Sequence, residues 1–263
     1  MDKEFQPIID AAEAGGKVLK KYFGKKLEVM NEKYNPADLQ TTADLEAEKT
    51  ILEILQKNFP GYSIISEEVG EIDNNSEYSF VIDPLDGTNN FVLGIANFTN
   101  VIALVKGDDV LFSVVHSPMT NETFYAQKGR GAFLNGHPIR VNQVSDFTKA
   151  TIAHHVDYSF NLFQKTVIRK ALTDKGIKRL LSYWSPAFEL CLLAAGRIEG
   201  VIREKGVIHD FLAGKMIAIE AGAKVTDLHG QPEKSIKNDS TILSNGTSIH
   251  EILVEVTQQH LKG

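Results

Sequence analysis

Apolar residues near the N-terminus recur with a helical period. Phe5, Ile8, Ile9, Ala12, Leu19, Tyr22 and Phe23 follow the i, i+3, i+4 rhythm of an amphipathic helix, predicted to end near Gly24. The stretch KLEVMNEKYNPADLQTT then reads as a short strand and a polar loop around Pro36. A second helix is predicted from about Thr42 to Phe59, with Leu45, Leu52, Leu55 and Phe59 on one face. Two compact, β-rich runs follow, Tyr62–Ser66 and Tyr78–Ile82, separated by the polar loop EEVGEIDNNSE. Between 99 and 141 the pattern shortens to β segments, TNVIALV, VLFSVVH, ETFYAQ and AFLNGHPIRV, with Asn135-Gly136 as a hairpin turn. After Ser145 helices and strands alternate again. Helices are predicted at about 159–174, 185–195, 210–221 and 247–260, and strands near 178–182, 199–203, 223–227 and 240–244. The halves, about 1–145 and 146–263, join without a Pro/Gly-rich break, so one domain is expected. The order of elements implies a layered α and β architecture with a mostly antiparallel stretch rather than a uniform βαβ winding.

At 263 residues the chain can bury a sizeable core. Its net charge of -6 argues against a nucleic-acid partner, but an anionic substrate is compatible if bound cations reverse the local sign. Cys191 is the only cysteine, so no intrachain disulfide can form. The acidic start MDKEFQPIIDAAEAGG is unlike a signal peptide, and no apolar run approaches the roughly 18 residues of a membrane span. A cytoplasmic protein without a membrane partner is expected.

Candidate chemistry gathers at DPLDGTNNF, residues 83–91. It follows the run Tyr78–Ile82, so Asp83 and Asp86 stand at a strand end, and Gly87 lets the chain turn towards a helix beginning near Thr88. Acids beside the free N–H groups of a helix start make a place for a cation and an anion together. Other acids stand at similar junctions. Glu67 and Glu68 close YSIIS, Asp210 opens a helix after VIREKGVIH, and Asp44 lies in the first turn of the second helix. Taken singly, each has a plainer reading: Asp210 as an N-cap, Asp44 as a partner of the helix dipole, Glu67-Glu68 as a solvated loop pair. Taken together they raise an electrostatic problem. Like charges about 4 Å apart repel by roughly 4 kcal/mol at an effective dielectric near 20. A fold that gathered Glu67, Asp83, Asp86 and Asp210 around one cavity would require cations. An all-oxygen donor set favours Mg2+ or Mn2+ over zinc, and two such ions can clamp the attacking and leaving oxygens of a phosphoryl displacement. Spacing alone does not bring the four acids together. Two other motifs fail: GRGAFLNG lies between strands with no helix after it, and no G-x-S-x-G is present.

DPLDGTNNF, with SEE upstream and HDFLAGKMIAIEAGA downstream, resembles the inositol monophosphatase family of lithium-sensitive, magnesium-dependent phosphatases. NPADLQTTAD, GRGAFLNGHPI and ELCLLAAGRIEG match in order, so the resemblance covers nearly the whole chain. It implies an α/β fold, a layered αβαβα sandwich of the sugar-phosphatase type, usually a homodimer. It also implies hydrolysis of a small polyol or sugar phosphate monoester by metal-activated water, with Mg2+ (or Mn2+) as cofactor and inhibition by Li+. By position it assigns Glu67, Asp83, the Leu85 carbonyl, Asp86 and Asp210 to metal binding. The amides of Gly87 and Thr88 would hold the phosphate, and Asp44 and Thr88, with Glu67, would orient and deprotonate the water. Glu68 would support them, and Ser185, Arg203 and Asp210 would face the substrate.

Three departures from the family pattern lie on the substrate side. His209 stands where the family commonly has Trp, as a packed substitute or a pocket contact. Trp184-Ser185-Pro186 stands where inositol phosphatases usually show Gly-(Ser/Thr)-Ala, and Trp184 reads as core or as a stacking platform. Arg203 replaces a common Glu that accepts hydrogen bonds from ring hydroxyls; arginine only donates, and prefers carboxylate or phosphate. Such an arginine resembles the archaeal-type enzymes that also hydrolyse fructose 1,6-bisphosphate, unless it only forms a surface salt bridge. Fructose 1,6-bisphosphatase, NADP phosphatase and histidinol-phosphate phosphatase are the rival activities. A cation-gated binding or regulatory protein is the rival without turnover.

Overall fold

The computed structural model describes residues 2–25, 29–32, 39–156 and 162–260. The N-terminal half opens with α1 (Gln6–Tyr22), a two-stranded ribbon of β1 (Val29–Glu32) and β2 (Leu39–Thr41), and α2 (Thr42–Asn58). The predicted loop around Pro36 lies outside the described residues. There follow β3 (Ser63–Ser66), β4 (Gly70–Ile72), β5 (Tyr78–Asp86), the short α3 (Thr88–Val92), β6 (Thr99–Lys106), β7 (Asp109–Ser117), β8 (Glu122–Gln127), β9 (Gly131–Leu134) and β10 (His137–Ile139). These form an eight-stranded sheet in the order β10-β9-β8-β7-β6-β5-β3-β4, antiparallel except for the pair β3 and β5. The C-terminal half comprises β11 (Thr151–Val156), α4 (Leu162–Asp174), β12 (Arg179–Leu181), α5 (Pro186–Ala194), β13 (Gly200–Glu204), α6 (Ile208–Glu220), β14 (Lys224–Asp227), β15 (Thr241–Ser244) and α7 (Ile249–His260). Its five strands run in the order β12-β11-β13-β15-β14.

Alternation along the strands sorts the core into layers, because successive side chains of a strand point to opposite faces. Phe80 and Ile82 of β5 pack with Ile8, Ile9, Ile51 and Leu55 of α1 and α2. Val81, between them, packs on the other face, in a cluster with Val115 and Phe124, with Leu190 and Leu193 of α5, and with Leu212 and Met216 of α6. The same cluster takes Ala153, Val201 and Leu243 from the five-stranded sheet. The neighbouring Ile152, Ile202 and Ile242 face outward onto α4 and α7, with Ile168, Leu172, Leu253 and Val256. The layers are therefore helix, sheet, helix, sheet, helix, as expected. α5 and α6 form the middle layer, and their lack of a polar face follows from being covered on both sides.

Several boundaries differ from the sequence expectation. The polar loop after Ser66 contains β4, an edge strand paired with β3 through Ile64 and Ile72; a solvated edge needs no apolar alternation. β5 continues past Ile82 to Asp86, with its ladder to β6 interrupted between Asp83 and Asp86, where Pro84 can donate nothing. α6 begins at Ile208, so Asp210 is its third residue rather than its cap. The helix predicted from about 159 is described from Leu162, residues 159–161 lying outside the described set. Asn135 (φ 48°) and Gly136 (φ 86°) make the expected hairpin turn between β9 and β10. Among the described residues no helix is long and apolar enough to cross a membrane.

Candidate active site

Two parallel strands deliver the first pair of acids. In the register of β3 on β5, Ser66 lies opposite Ile82, so Glu67 and Asp83 leave the two strands side by side. The Glu67 amide donates to the Ile82 carbonyl at 3.2 Å. Asp83 accepts from the Leu85 amide at 2.9 Å, which braces the interrupted stretch. The chain then turns at Gly87, with φ 94° and ψ 36°. A Cβ there would lie 3.0 Å from the Asn97 carbonyl oxygen and 3.3 Å from that of Trp184. Both the conformation and the space require glycine.

The turn places Thr88 beside Asp44. The Thr88 hydroxyl lies 2.9 Å from the Leu85 carbonyl oxygen and 3.3 Å from Asp44 Oδ1. Its single proton can serve one of them at a time. Asp44 Oδ2 accepts from the Thr41 amide at 2.9 Å and from the Thr41 hydroxyl, closing a capping box at the start of α2. The plain helix-start reading of Asp44 therefore holds, and its other carboxylate oxygen lies within reach of Thr88. Asp44 is fully buried, and burial lifts its carboxyl to about 7; Glu68 and Glu67 add to the rise, against the bonds from Thr41.

Burial also drives Asp83 and Asp86 well above the usual carboxylate range. The charged neighbours that act most strongly on Asp83 are all acids: Glu67, Asp86 and Asp210. Asp210 reaches the same place from α6. Burial raises it to about 6, His209 and Arg203 restraining the rise and Glu67 adding to it. The four acids of the sequence argument thus influence one another. Among the described residues, no three His, Cys, Asp or Glu side chains are drawn in closely enough to hold an ion as they stand. What fits a cation is the donor chemistry: mutually repelling carboxylates, Asp83 and Asp86 buried and Glu67 and Asp210 half-buried, the central one without a basic neighbour among its strongest influences.

The residues expected to face the substrate depart further from expectation. Arg203 makes no surface salt bridge. It is fully buried, its guanidinium carbon 4.6 Å from the Phe211 ring centroid, and all three guanidinium nitrogens lack a hydrogen-bond partner among the described residues. Asp210, Glu189 and Asp86 are the acids that most support its charge. Ser185 is buried too, its hydroxyl 2.6 Å from Asp86 Oδ2 rather than turned to open space. Trp184 is not core: it is 46% exposed, sits at φ 57°, and lines a cavity of about 390 Å³ with Tyr183, Ile95 and Phe188. His209 lies against Asp210, its Nε2 3.2 Å from Asp210 Oδ1. Glu68 is no solvated loop acid, since Gln40 donates to its Oε2. Two supporting residues escaped the sequence reading. Glu48 accepts from Ser66 and from the Glu68 and Val69 amides, fixing the turn that carries Glu67; its spacing of four from Asp44 was the available signal. Thr99 donates to Asp86 Oδ2 at 3.0 Å, and nothing in its local sequence marks it.

A layered α/β chain that a phosphatase family model matches over almost its whole length is a phosphoric monoester hydrolase. The model of the inositol monophosphatase family matches residues 1–262, and the chain belongs to that family. It is 34% identical over 224 residues to the fructose-1,6-bisphosphatase/inositol-1-monophosphatase of Thermotoga maritima, covering 84% of this chain and 83% of that one. It is 32% identical over 255 residues to the Nus factor SuhB of Vibrio cholerae, covering 95% and 94%. Among solved structures, the extragenic suppressor protein SuhB of Bartonella henselae matches with a TM-score of 0.90 at 29% identity, covering 97% of this chain and 98% of that one.

Proposed function

We propose that the protein hydrolyses a small polyol or sugar phosphate monoester, of the inositol 1-phosphate kind, with Mg2+ (or Mn2+) held by Glu67, Asp83, the Leu85 carbonyl, Asp86 and Asp210. The observation that carries this reading is the set of acids around Asp83, where the buried Asp83 and Asp86 meet the half-buried Glu67 and Asp210 and the charges raise one another. Bound divalent cations would offset those charges and stabilise charge developing on the phosphoryl group. The chain's own part is positioning and proton transfer. The amides of Gly87 and Thr88 hold the ester phosphate at the turn, and Glu67 helps to orient the attacking water. The Thr88 hydroxyl passes the water's proton to Asp44, whose carboxyl near 7 suits a base at neutral pH. Water's oxygen bonds to phosphorus as the ester P–O bond breaks, and the leaving alkoxide takes up a proton. The net charge of -6 supports a small anionic substrate held through cations over a nucleic-acid partner, and the buried free Cys191 agrees with a reducing, cytoplasmic setting. A homodimer is the assembly we expect.

A second reading gains support from Arg203. A buried guanidinium without a partner costs several kcal/mol, and a second anionic group on the substrate would relieve it. Fructose 1,6-bisphosphate has such a group, and the Thermotoga relative carries both activities in its name. Phosphate release from inositol 1-phosphate, fructose 1,6-bisphosphate, NADP and histidinol phosphate, each with Mg2+ or EDTA, tests both readings. Release that depends on Mg2+ is expected. Equal release in EDTA would refute the cation part, and a preference for NADP or histidinol phosphate would refute the substrate class.

A further inference from the structure

Asp86 uses its two carboxylate oxygens unequally. Oδ2 accepts from the Thr99 hydroxyl at 3.0 Å, the Ser185 hydroxyl at 2.6 Å and the Ala187 amide at 3.2 Å. Every side-chain hydrogen bond of Asp86 among the described residues converges on that atom. Thr99 is the first residue of β6, opposite Asp86 in the ladder; Ser185 caps α5, and Ala187 is its second residue. All are buried. A carboxylate oxygen offers two lone pairs, so three donors fill Oδ2 and leave Oδ1 as the atom free to meet a cation.

We propose that Thr99 and Ser185 are positioning residues that lock the Asp86 carboxylate, so that it binds a divalent cation through Oδ1 alone. This rests on the reading of Asp83, Asp86 and their neighbours as a cation site. The lock brings together elements from both halves of the chain, so the ligand is oriented only once α5 has docked against β5 and β6. It also changes the meaning of an amide at this position. In Asp86→Asn the three donors select the amide oxygen and turn the NH2 group into the place of Oδ1. The cation would then meet hydrogens as well as a missing charge.

Mn2+ binding by the substrate-free protein, read from the electron paramagnetic resonance of free Mn2+, tests the lock. Groups that orient a metal ligand typically govern about 10- to 100-fold in affinity. Thr99→Val, matched in shape, and Ser185→Ala should each weaken Mn2+ binding by about that factor, while Thr99→Ser keeps it. Thermal unfolding in EDTA confirms that each variant is folded, and Ser185→Ala carries the test if Thr99→Val is not. If both hydroxyl-free variants lose stability in EDTA yet bind Mn2+ like the parent, while Asp86→Asn does not, the hydroxyls are structural and the lock is refuted with the cation site intact. If Asp86→Asn binds Mn2+ like the parent, the cation site is refuted, and the lock with it.

Discussion

Replacing Gly87 by alanine separates two costs that the turn combines. At φ 94° an L-residue is worse than glycine by about 1–2 kcal/mol. The new methyl would also press on the Asn97 and Trp184 carbonyl oxygens at 3.0 and 3.3 Å. Both are backbone atoms, and the Asn97 oxygen is held by Asn90 Nδ2 at 2.8 Å, so neither can swing aside. Overpacking of this kind costs roughly 1–3 kcal/mol, giving about 3 kcal/mol in all. Gly94 supplies the control: its φ is 73°, but a Cβ would meet nothing within 4 Å, so Gly94→Ala should cost only about 1 kcal/mol. For a chain of this size the Tm should fall by roughly 6–12 °C in Gly87→Ala and about 2–4 °C in Gly94→Ala. Gly87→Ala should also lower kcat/KM by roughly a hundredfold, because displacement of about 1 Å at Asp86 and Thr88 misaligns the reacting groups. Differential scanning fluorimetry and a phosphate-release assay read both effects. Equal Tm shifts in the two variants, with full activity in Gly87→Ala, would refute the reasoning.

Thr88→Ala should lower kcat far more than it raises KM, since the hydroxyl acts on the water and not in holding the ester; a pure KM effect would reassign it to binding. Burial pushes His116 down to about 4, below its unfolded value near 6.5, so its contribution to stability is full above about pH 6.5 and is lost as pH falls towards 4. Between pH 6.5 and 5 it should cost the protein roughly 2 kcal/mol, and the Tm of His116→Gln should fall less steeply over that range; parallel slopes would refute the assignment. Arg203→Glu should lower kcat/KM for fructose 1,6-bisphosphate about ten- to a hundredfold more than for inositol 1-phosphate, the value of a charge-assisted contact. Equal losses on both substrates would make Arg203 purely structural.

The period of the apolar residues carried most of the fold, because α1 buries one continuous stripe and the central strands, covered on both faces, read as near-continuous apolar runs. It could not reveal β4, which is held by its ladder and faces solvent. Asp83 and Asp86 were legible because glycine and proline punctuate a strand end at DPLDG, a local signal; Glu67, Asp44 and Asp210 entered the site only through the resemblance. Exposure was less legible. Trp184 is at the surface and Arg203 is enclosed, the reverse of what their side chains suggest, since each depends on what distant elements leave uncovered. Thr99 and Glu48 act through contacts across the fold, and only Glu48 leaves a trace, one helical turn beyond Asp44.

The middle helical layer has a consequence for synthesis. Asp86 leaves the ribosome roughly 120 residues ahead of Asp210, which at about 5–20 residues per second is an interval of about 6–25 s. In that time the eight-stranded sheet can pair while the face bearing Val81, Val115 and Phe124 still awaits α5 and α6. A nascent chain therefore presents a bare apolar face fringed by Glu67, Asp83 and Asp86. Charges beside an uncovered apolar strand oppose self-association, so these acids should guard that face during translation whether or not they hold a cation. A chain halted near Ser145 should bind a hydrophobic dye at that face, and the finished protein should not.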